Sequence, residues 1–415
     1  MACLFAAAAL VACDPNEGTI KTVSVNITVD ESKLPENLVP DTYNVTVTNT
    51  ASGAVVTNTA SGAVVEAETE NGMATLSVVP GIYTVVVSAD LSEGGFTYFI
   101  TGSVKDAEIL ADGVEIAVEM GVVKESQLVI KESYYTGCTY KTSDTEEATY
   151  FRDQFHEIYN NSNEVAYVDG LCIAYTVFAN YKYDVFYTYT GYNKNDYVFV
   201  QYIWQIPGDG QQYPLQPGES IVIAQWATNH KADILTKNTS PVDLSGAEFE
   251  AIEGEKTLWN ATITDGPAVN MTFAVDAKGY GLQQWMVPTG GANLIIFKPS
   301  TPLRTADFLV SEEDPSSNSK AHEVAVADIL DAVQSIDDDT RIQTLGMPSI
   351  LDAGYIWCSG TYIGESISRK QIGTLENGSP KYADTNNTSN DFEVQKTPMI
   401  RRNGAKVPSW NTWNK

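Results

Sequence analysis

Three histidines, His156, His230 and His322, are the only imidazoles in 415 residues. They lie far apart in sequence and in unlike contexts. Zinc catalysis needs two or three converging ligands at recognisable spacing, and these offer none. Each therefore reads as an isolated surface or core residue. No G-x-S-x-G elbow, H-E-x-x-H helix or phosphate-binding loop occurs, and the glycines of Ile206–Pro214 punctuate a loop. Carboxylates are the better candidates for chemistry. Asp337–Asp339, Glu312–Asp314 and Asp384–Asp391 present hard oxygens of the kind calcium prefers. None follows the D-x-[DN]-x-[DN]-G spacing closely, so solvated carboxylates are the expected state. No cofactor is expected, and a structural calcium ion is the one metal such clusters would suit. A glycosidase pair would come from distant strands, so spacing along the chain carries no information about it.

Tyrosines form a second candidate. Tyr181, Tyr183, Val185, Tyr187 and Tyr189 share one parity, so a strand would line them on one face. Gly191–Asp196 then turns and Tyr197–Gln205 returns, which predicts a hairpin. Two readings compete: a sandwich face with phenol tips at its wet edge, and an exposed platform of Tyr181, Tyr183, Tyr187 and Tyr189 for sugar rings or a protein partner.

Composition narrows the classes further. The chain carries 25 basic and 53 acidic residues, a net charge of −28. Such a surface repels phosphate backbones, so no nucleic-acid partner is expected. Leu4–Ala12 is apolar, too short to span a bilayer, and of signal-peptide length. It ends in Leu10-Val11-Ala12-Cys13, which resembles a bacterial lipobox, although no Lys or Arg precedes it. The resemblance implies a signal peptide over 1–12, lipidation of Cys13 and a tether over 13–21. The membrane would then be a partner through the N-terminal lipid. The protein would sit in the cell envelope on the outer membrane, on its cell-surface or periplasmic face. Cys138, Cys172 and Cys358 remain; among three thiols at most one disulfide forms, and spacing does not choose the pair.

The elements that must position these residues are strands. Val, Thr, Tyr and Ile are frequent, and Val23–Val29 alternates apolar with polar, the period of a half-buried strand. Tyr43–Val47, Ala74–Val78 and Ile82–Val87 continue this pattern, predicting a small β-sandwich over 22–120. Its Pro80-Gly81-x-Tyr83-Thr84-Val85 run resembles prealbumin-like and carboxypeptidase-regulatory-like sandwiches. Thr48–Val56 recurs unchanged as Thr57–Val65. One such duplication cannot build a solenoid, so it is expected to lengthen a hairpin or loop at the sandwich edge. Further on, Tyr134–Thr149 reads as a polar loop, Asp169-Gly170 as hairpin chemistry, Ala224–Asp233 as a short helix carrying His230, and Tyr355–Tyr362 as a strand. Ala321–Ala327 is at most a helical turn before a strand at Ile329–Val333.

Leu128–Glu132, Phe155–Asn160 and Val168–Leu171 resemble the first strands of a lamin-tail domain. Leu215–Ala224 resembles its Pro-Gly turn and following strand, Asp328–Val333 its Asp-centred strand, Ile367–Lys370 its Ser-x-x-Arg strand, and Asp384–Phe392 its closing segment. The resemblance implies an immunoglobulin-like sandwich with insertions over 125–400, followed by a tail over 401–415. The expected fold is thus all-β with two sandwich domains. Adjacent residues such as His156 and Glu157 would point to opposite faces. Two functions remain: a non-enzymatic, lipid-anchored envelope protein that binds a protein or glycan partner, and an extracellular carboxylate-dependent hydrolase of polysaccharide.

Overall fold

The computed structural model describes residues 21–49, 64–93, 96–176, 192, 196–232, 240–252, 256–258, 261–263, 265–279, 281, 285–310, 320–338, 340–341 and 347–414. The chain is all-β, as its alternation predicts, and divides into two compact units. The first comprises residues 1–30, 41–87 and 103–119; the second comprises 31–40, 88–102 and 120–415.

In the first unit Val23–Asp30 pairs antiparallel with Met73–Val78 and parallel with Val114–Glu119. Its alternation buries Val23, Val25 and Ile27. Asn44–Asn49 pairs with Val64–Glu68 as a hairpin. The exact repeat therefore begins and ends in paired strands, with its middle outside the described residues.

The second unit is built on two large sheets. In the first, spatial order runs Val269–Asn270, Phe249–Glu250, Ser220–Ala224, Phe155–Asn160, Leu128–Tyr134, Ser366–Arg369, Phe392–Gln395. The Phe155–Asn160 strand pairs antiparallel with Ser220–Ala224, joining the two segments that carry the sequence signal. In the second, Leu309–Val310, Lys320–Ala325, Tyr197–Gln205, Cys172–Thr176, Asn293–Phe297 and Ile329–Gln334 lie side by side, with Thr272–Asp276 also on Tyr197–Gln205. One apolar core joins them: Ile130, Ile158 and Ile223 from the first sheet meet Ile173, Trp204 and Ile296 from the second. The outer face of the second sheet buries a separate cluster that includes Val198, Val200, Val324 and Phe297.

Several local expectations are corrected. Asp169-Gly170 turns between strands of different sheets instead of closing a hairpin, and its carboxylate accepts from the N–H groups of Gln212 and Tyr213. Cys138–Lys141 and Glu147–Tyr150 form a hairpin inside the predicted polar loop. No helix forms over residues 224–232, because the Glu250 carboxylate takes the Ala227 N–H and Leu244 donates to Thr228 O. These partners replace the i→i−4 ladder a helix needs. Lys320–Ala325 is a strand, followed by one 3-10 turn at Val326–Asp328 and the expected strand from Ile329. Tyr355–Tyr362 is a loop with a single bridge at Ile356. Residues 401–414 pack as a strap on the first sheet. Arg401 pairs with buried Glu248, Arg402 with buried Glu132, and Trp410 donates to Pro214 O.

Candidate ligand pocket

The residues singled out in sequence go to two kinds of place. Asp331, Arg369, Asp384 and Asp391 come from three separate stretches and meet in one buried cluster. Arg369 reaches Asp331 at 2.6 Å, Asp384 at 3.2 Å and Asp391 at 3.4 Å. It also donates to the carbonyls of Ile130 and Ala383. Burial opposes the guanidinium charge, but the three carboxylates outweigh it and hold Arg369 protonated. Burial raises Asp384 above the ordinary carboxyl range, against the opposing pull of the Arg369 charge. Asp391 also accepts from Thr385 N–H and Oγ1. The arrangement stitches a strand of each sheet to the closing segment. Asp338 caps its own turn by accepting from Thr340 N–H. Among the described residues, no three His, Cys, Asp or Glu side chains gather to hold a metal ion. Glu312–Asp314 and Asp339 lie outside the described residues.

The histidines occupy three unconnected environments. His156 sits between Ser133 Oγ and the Trp285 indole N–H, each at 2.9 Å, and burial pulls it down to about 3. It faces the core while neighbouring Glu157 pairs with Lys131 at 3.0 Å on the other side of the sheet. His230 lies between Tyr150 OH and Trp226 O, and burial pulls it down to about 4. Both are neutral, satisfied core residues. Cys138, Cys172 and Cys358 are buried and none is in a disulfide among the described residues, and burial pushes Cys172 up to about 12 and Cys358 up to about 11. Neither is a ready nucleophile at neutral pH.

His322 differs, because it lines a cavity of about 500 Å³ at one side of the second sheet. Lys320–Ala325 runs antiparallel to Tyr197–Gln205, setting Val200 opposite His322 and Phe199 opposite Glu323. After Asn293–Phe297 the chain meets Pro299 and Pro302, which cannot extend a ladder, and residues 299–304 line the cavity. Asp328 fixes this segment by accepting from Ser300 N–H at 3.0 Å and Ser300 Oγ at 3.1 Å. Arg304 completes the wall. Its backbone N–H donates to His322 Nε2 at 2.9 Å and its guanidinium reaches Glu323 at 2.5 Å. Tyr192 and Tyr197 form the aromatic side, ring centroids 4.8 Å apart and nearly perpendicular.

The electrostatics follow from these contacts. Nε2 of His322 accepts, so the neutral ring carries its proton on Nδ1; burial lowers the pKa and keeps it neutral. Burial would raise Glu323, but the bond from Arg304 outweighs it and holds the carboxyl below the ordinary range. The same bond raises Arg304. Three polar atoms on these adjoining side chains have no hydrogen-bond partner among the described residues: His322 Nδ1, Glu323 Oε2 and Arg304 Nε. Buried polar groups in a cavity wall are ordinarily met by water or ligand. The wall thus combines a neutral imidazole, an Arg–Glu pair and an aromatic side.

Of the pocket, sequence reading singled out His322 alone, as an isolated imidazole. Tyr192 and Tyr197 stood at the predicted turn and returning strand. Arg304 and Glu323 were missed; the available signal was two prolines bracketing a polar run and the adjacent His322-Glu323 pair. The proposed platform of Tyr181, Tyr183, Tyr187 and Tyr189, and the lipidation position Cys13, lie outside the described residues.

No curated protein matches the chain. The crystal structure of a DUF4876 family protein from Bacteroides thetaiotaomicron is similar at 29% identity and a TM-score of 0.62, over 94% of this chain and 99% of that one. The sequence profile of DUF4876, described as a protein of unknown function, matches residues 216–399.

Proposed function

We propose that this chain is a non-enzymatic, lipid-anchored protein of the cell envelope that binds a protein or glycan partner, with the pocket beneath Tyr192 and Tyr197 as a binding seat. One observation carries the reading: a cavity of about 500 Å³ whose wall holds unsatisfied polar atoms on Arg304, His322 and Glu323. That volume falls in the range of ligand sites, about 300–1,000 Å³. The chemistry of the lining favours binding over hydrolysis. Glycoside hydrolysis needs one carboxyl held protonated, whereas Glu323 is held ionised by Arg304, and Asp328 is engaged by Ser300. The lipobox-like Leu10–Cys13 supports the anchor, and the net charge of −28 argues against nucleic acid. We read the second unit as a lamin-tail-like sandwich, a reading supported by the Asp331–Arg369–Asp391 contacts among its motif residues.

The test is capture of partners from intact cells by the full chain, together with glycan-array screening, with and without Arg304→Ala and Tyr197→Ala. Partner retention should fall at least tenfold in both variants, a loss of about 1.4 kcal/mol. Undiminished retention by both would remove the pocket from the account. Cys13→Ala should release the protein from membranes, and continued membrane retention would remove the lipid anchor.

A further inference from the structure

The outer face of the first sheet carries a polar cluster that shares no residue with the pocket. Ser220–Ala224, Phe249–Glu250 and Val269–Asn270 run parallel, with Ala224 beside Glu250 and Glu250 beside Asn270. Phe249 packs into the core between the sheets, so Glu250 points the other way. Val269 packs against the same core, which sends Asn270 outward too. Glu250 and Asn270 are thus neighbours on one face.

Acceptor oxygens outnumber donors here. Glu250 Oε2 accepts from Ala227 N–H at 2.9 Å, and Asn270 Nδ2 donates to Asp265 Oδ1 at 3.1 Å. The Asp265 carboxyl also stands within hydrogen-bonding reach of the Glu250 carboxyl, where like charges repel. Asp265 therefore touches both strand residues. Glu250 is 0% exposed, yet its Oε1 has no hydrogen-bond partner among the described residues, and neither has Asn270 Oδ1. Gly266 N–H faces the Glu250 carboxyl without closing a bond to Oε1. Ala227 O adds a further oxygen, 3.4 Å from where a Cβ on Gly266 would stand. Buried acceptors without donors are costly, and a second carboxylate beside them adds repulsion. A positive charge held among them removes both penalties.

Ligand chemistry selects that charge. The atoms on offer are hard oxygens from two carboxylates, one amide and one backbone carbonyl. Such a set suits calcium better than the metals that favour nitrogen and sulfur. Magnesium demands a tight octahedron at about 2.0–2.1 Å, whereas calcium accepts irregular shells at about 2.3–2.6 Å. Asp265, Gly266 and Pro267 are exposed, which gives the cluster a solvent side where an ion can enter and water can complete its shell. The net charge of −28 concentrates cations at the surface.

We propose that Glu250, Asp265 and Asn270 form a calcium site that ties Val269–Asn270, the outermost strand, to the first sheet. In calcium-free buffer the proton that burial keeps on Glu250 stands in for the ion. The test is isothermal titration calorimetry of the chelator-stripped full chain with calcium chloride and, separately, magnesium chloride. Wild type should take up calcium at a stoichiometric site and bind magnesium at least about tenfold more weakly. Asp265→Asn, a near-isosteric change at an exposed position, should weaken calcium binding at least about tenfold, and Glu250→Gln should do the same. Calcium should also raise the melting temperature of wild type and leave that of Asp265→Asn unmoved. Because Glu250 is buried and its variant can lose the fold, Asp265→Asn decides the matter. Absence of calcium binding by wild type, or equal binding by wild type and Asp265→Asn, would overturn the site. Magnesium bound as tightly as calcium would overturn its assignment to calcium.

Discussion

Two arginines of the second unit sit against carboxylates, and they serve different ends. Arg369 is 1% exposed in its side chain and meets three aspartates and two backbone carbonyls. Arg304 is 35% exposed, meets one glutamate, and stands at a cavity with its Nε unpartnered among the described residues. Strong perturbation of charge marks the first far more than the second. Depth alone therefore misleads as a guide to function here. A shifted group that is sealed and held on several sides is architecture, whereas a modest pair with unmet valence at an opening can bind. Structural ion-pair networks perturb ionisation as effectively as active sites do.

The comparison is broken most easily at Arg369. Arg369→Met should destabilise by about 3–5 kcal/mol, because carboxylates would be left buried without their cation. Urea unfolding measures it, and a loss below about 1 kcal/mol would mean that the cluster is hydrated and not sealed. Arg401→Ala should cost about 1–3 kcal/mol, since buried Glu248 then keeps only its bonds from Val222 N–H and Asn411. An unchanged unfolding midpoint would show that the strap contributes nothing to the sheet it covers.

Glu250 supplies a test in pH. Burial and then the nearby Asp265 charge push its carboxyl up to about 7 in the folded protein, from 4.5. Between those values the folded state holds a proton that the unfolded state has lost. Its contribution is thus fully present below about pH 4.5 and fades as pH rises through about 7, with a slope of at most about 1.4 kcal/mol per pH unit. Glu250→Gln should flatten that part of the stability profile, and an identical slope in the variant would reassign it to other groups. Arg304→Ala should cost less than about 1 kcal/mol, as for a half-exposed pair, while reducing partner binding. A large stability loss there would merge the two arginines into one class.

Much of the framework was legible along the chain. The alternation of Val23–Val29 depends on period-2 burial, which is local, and the strands at Phe155–Asn160 and after Pro217-Gly218 stand where the lamin-tail resemblance put them. The misread segments were those whose backbone partners come from far away. Residues 224–232 lose their helix to Glu250 and Leu244, and Tyr355–Tyr362 gives its hydrogen bonds to Ser389, Gln334 and Thr136. The pocket was illegible for the same reason: Arg304 and His322 are eighteen positions apart and meet only because Pro299–Arg304 folds over the Lys320–Ala325 strand.

By itself the sequence determined that this chain is a strand-built, strongly acidic protein whose three histidines share no metal-ligand spacing. Alternation, charge count and motif spacing are properties of neighbours on a string. Only the tertiary structure decided which charges are sealed and which stand open. Whether Arg369 has three partners or Arg304 has one depends on the crossing of segments remote in the chain, where burial and distance set the energy of every charge.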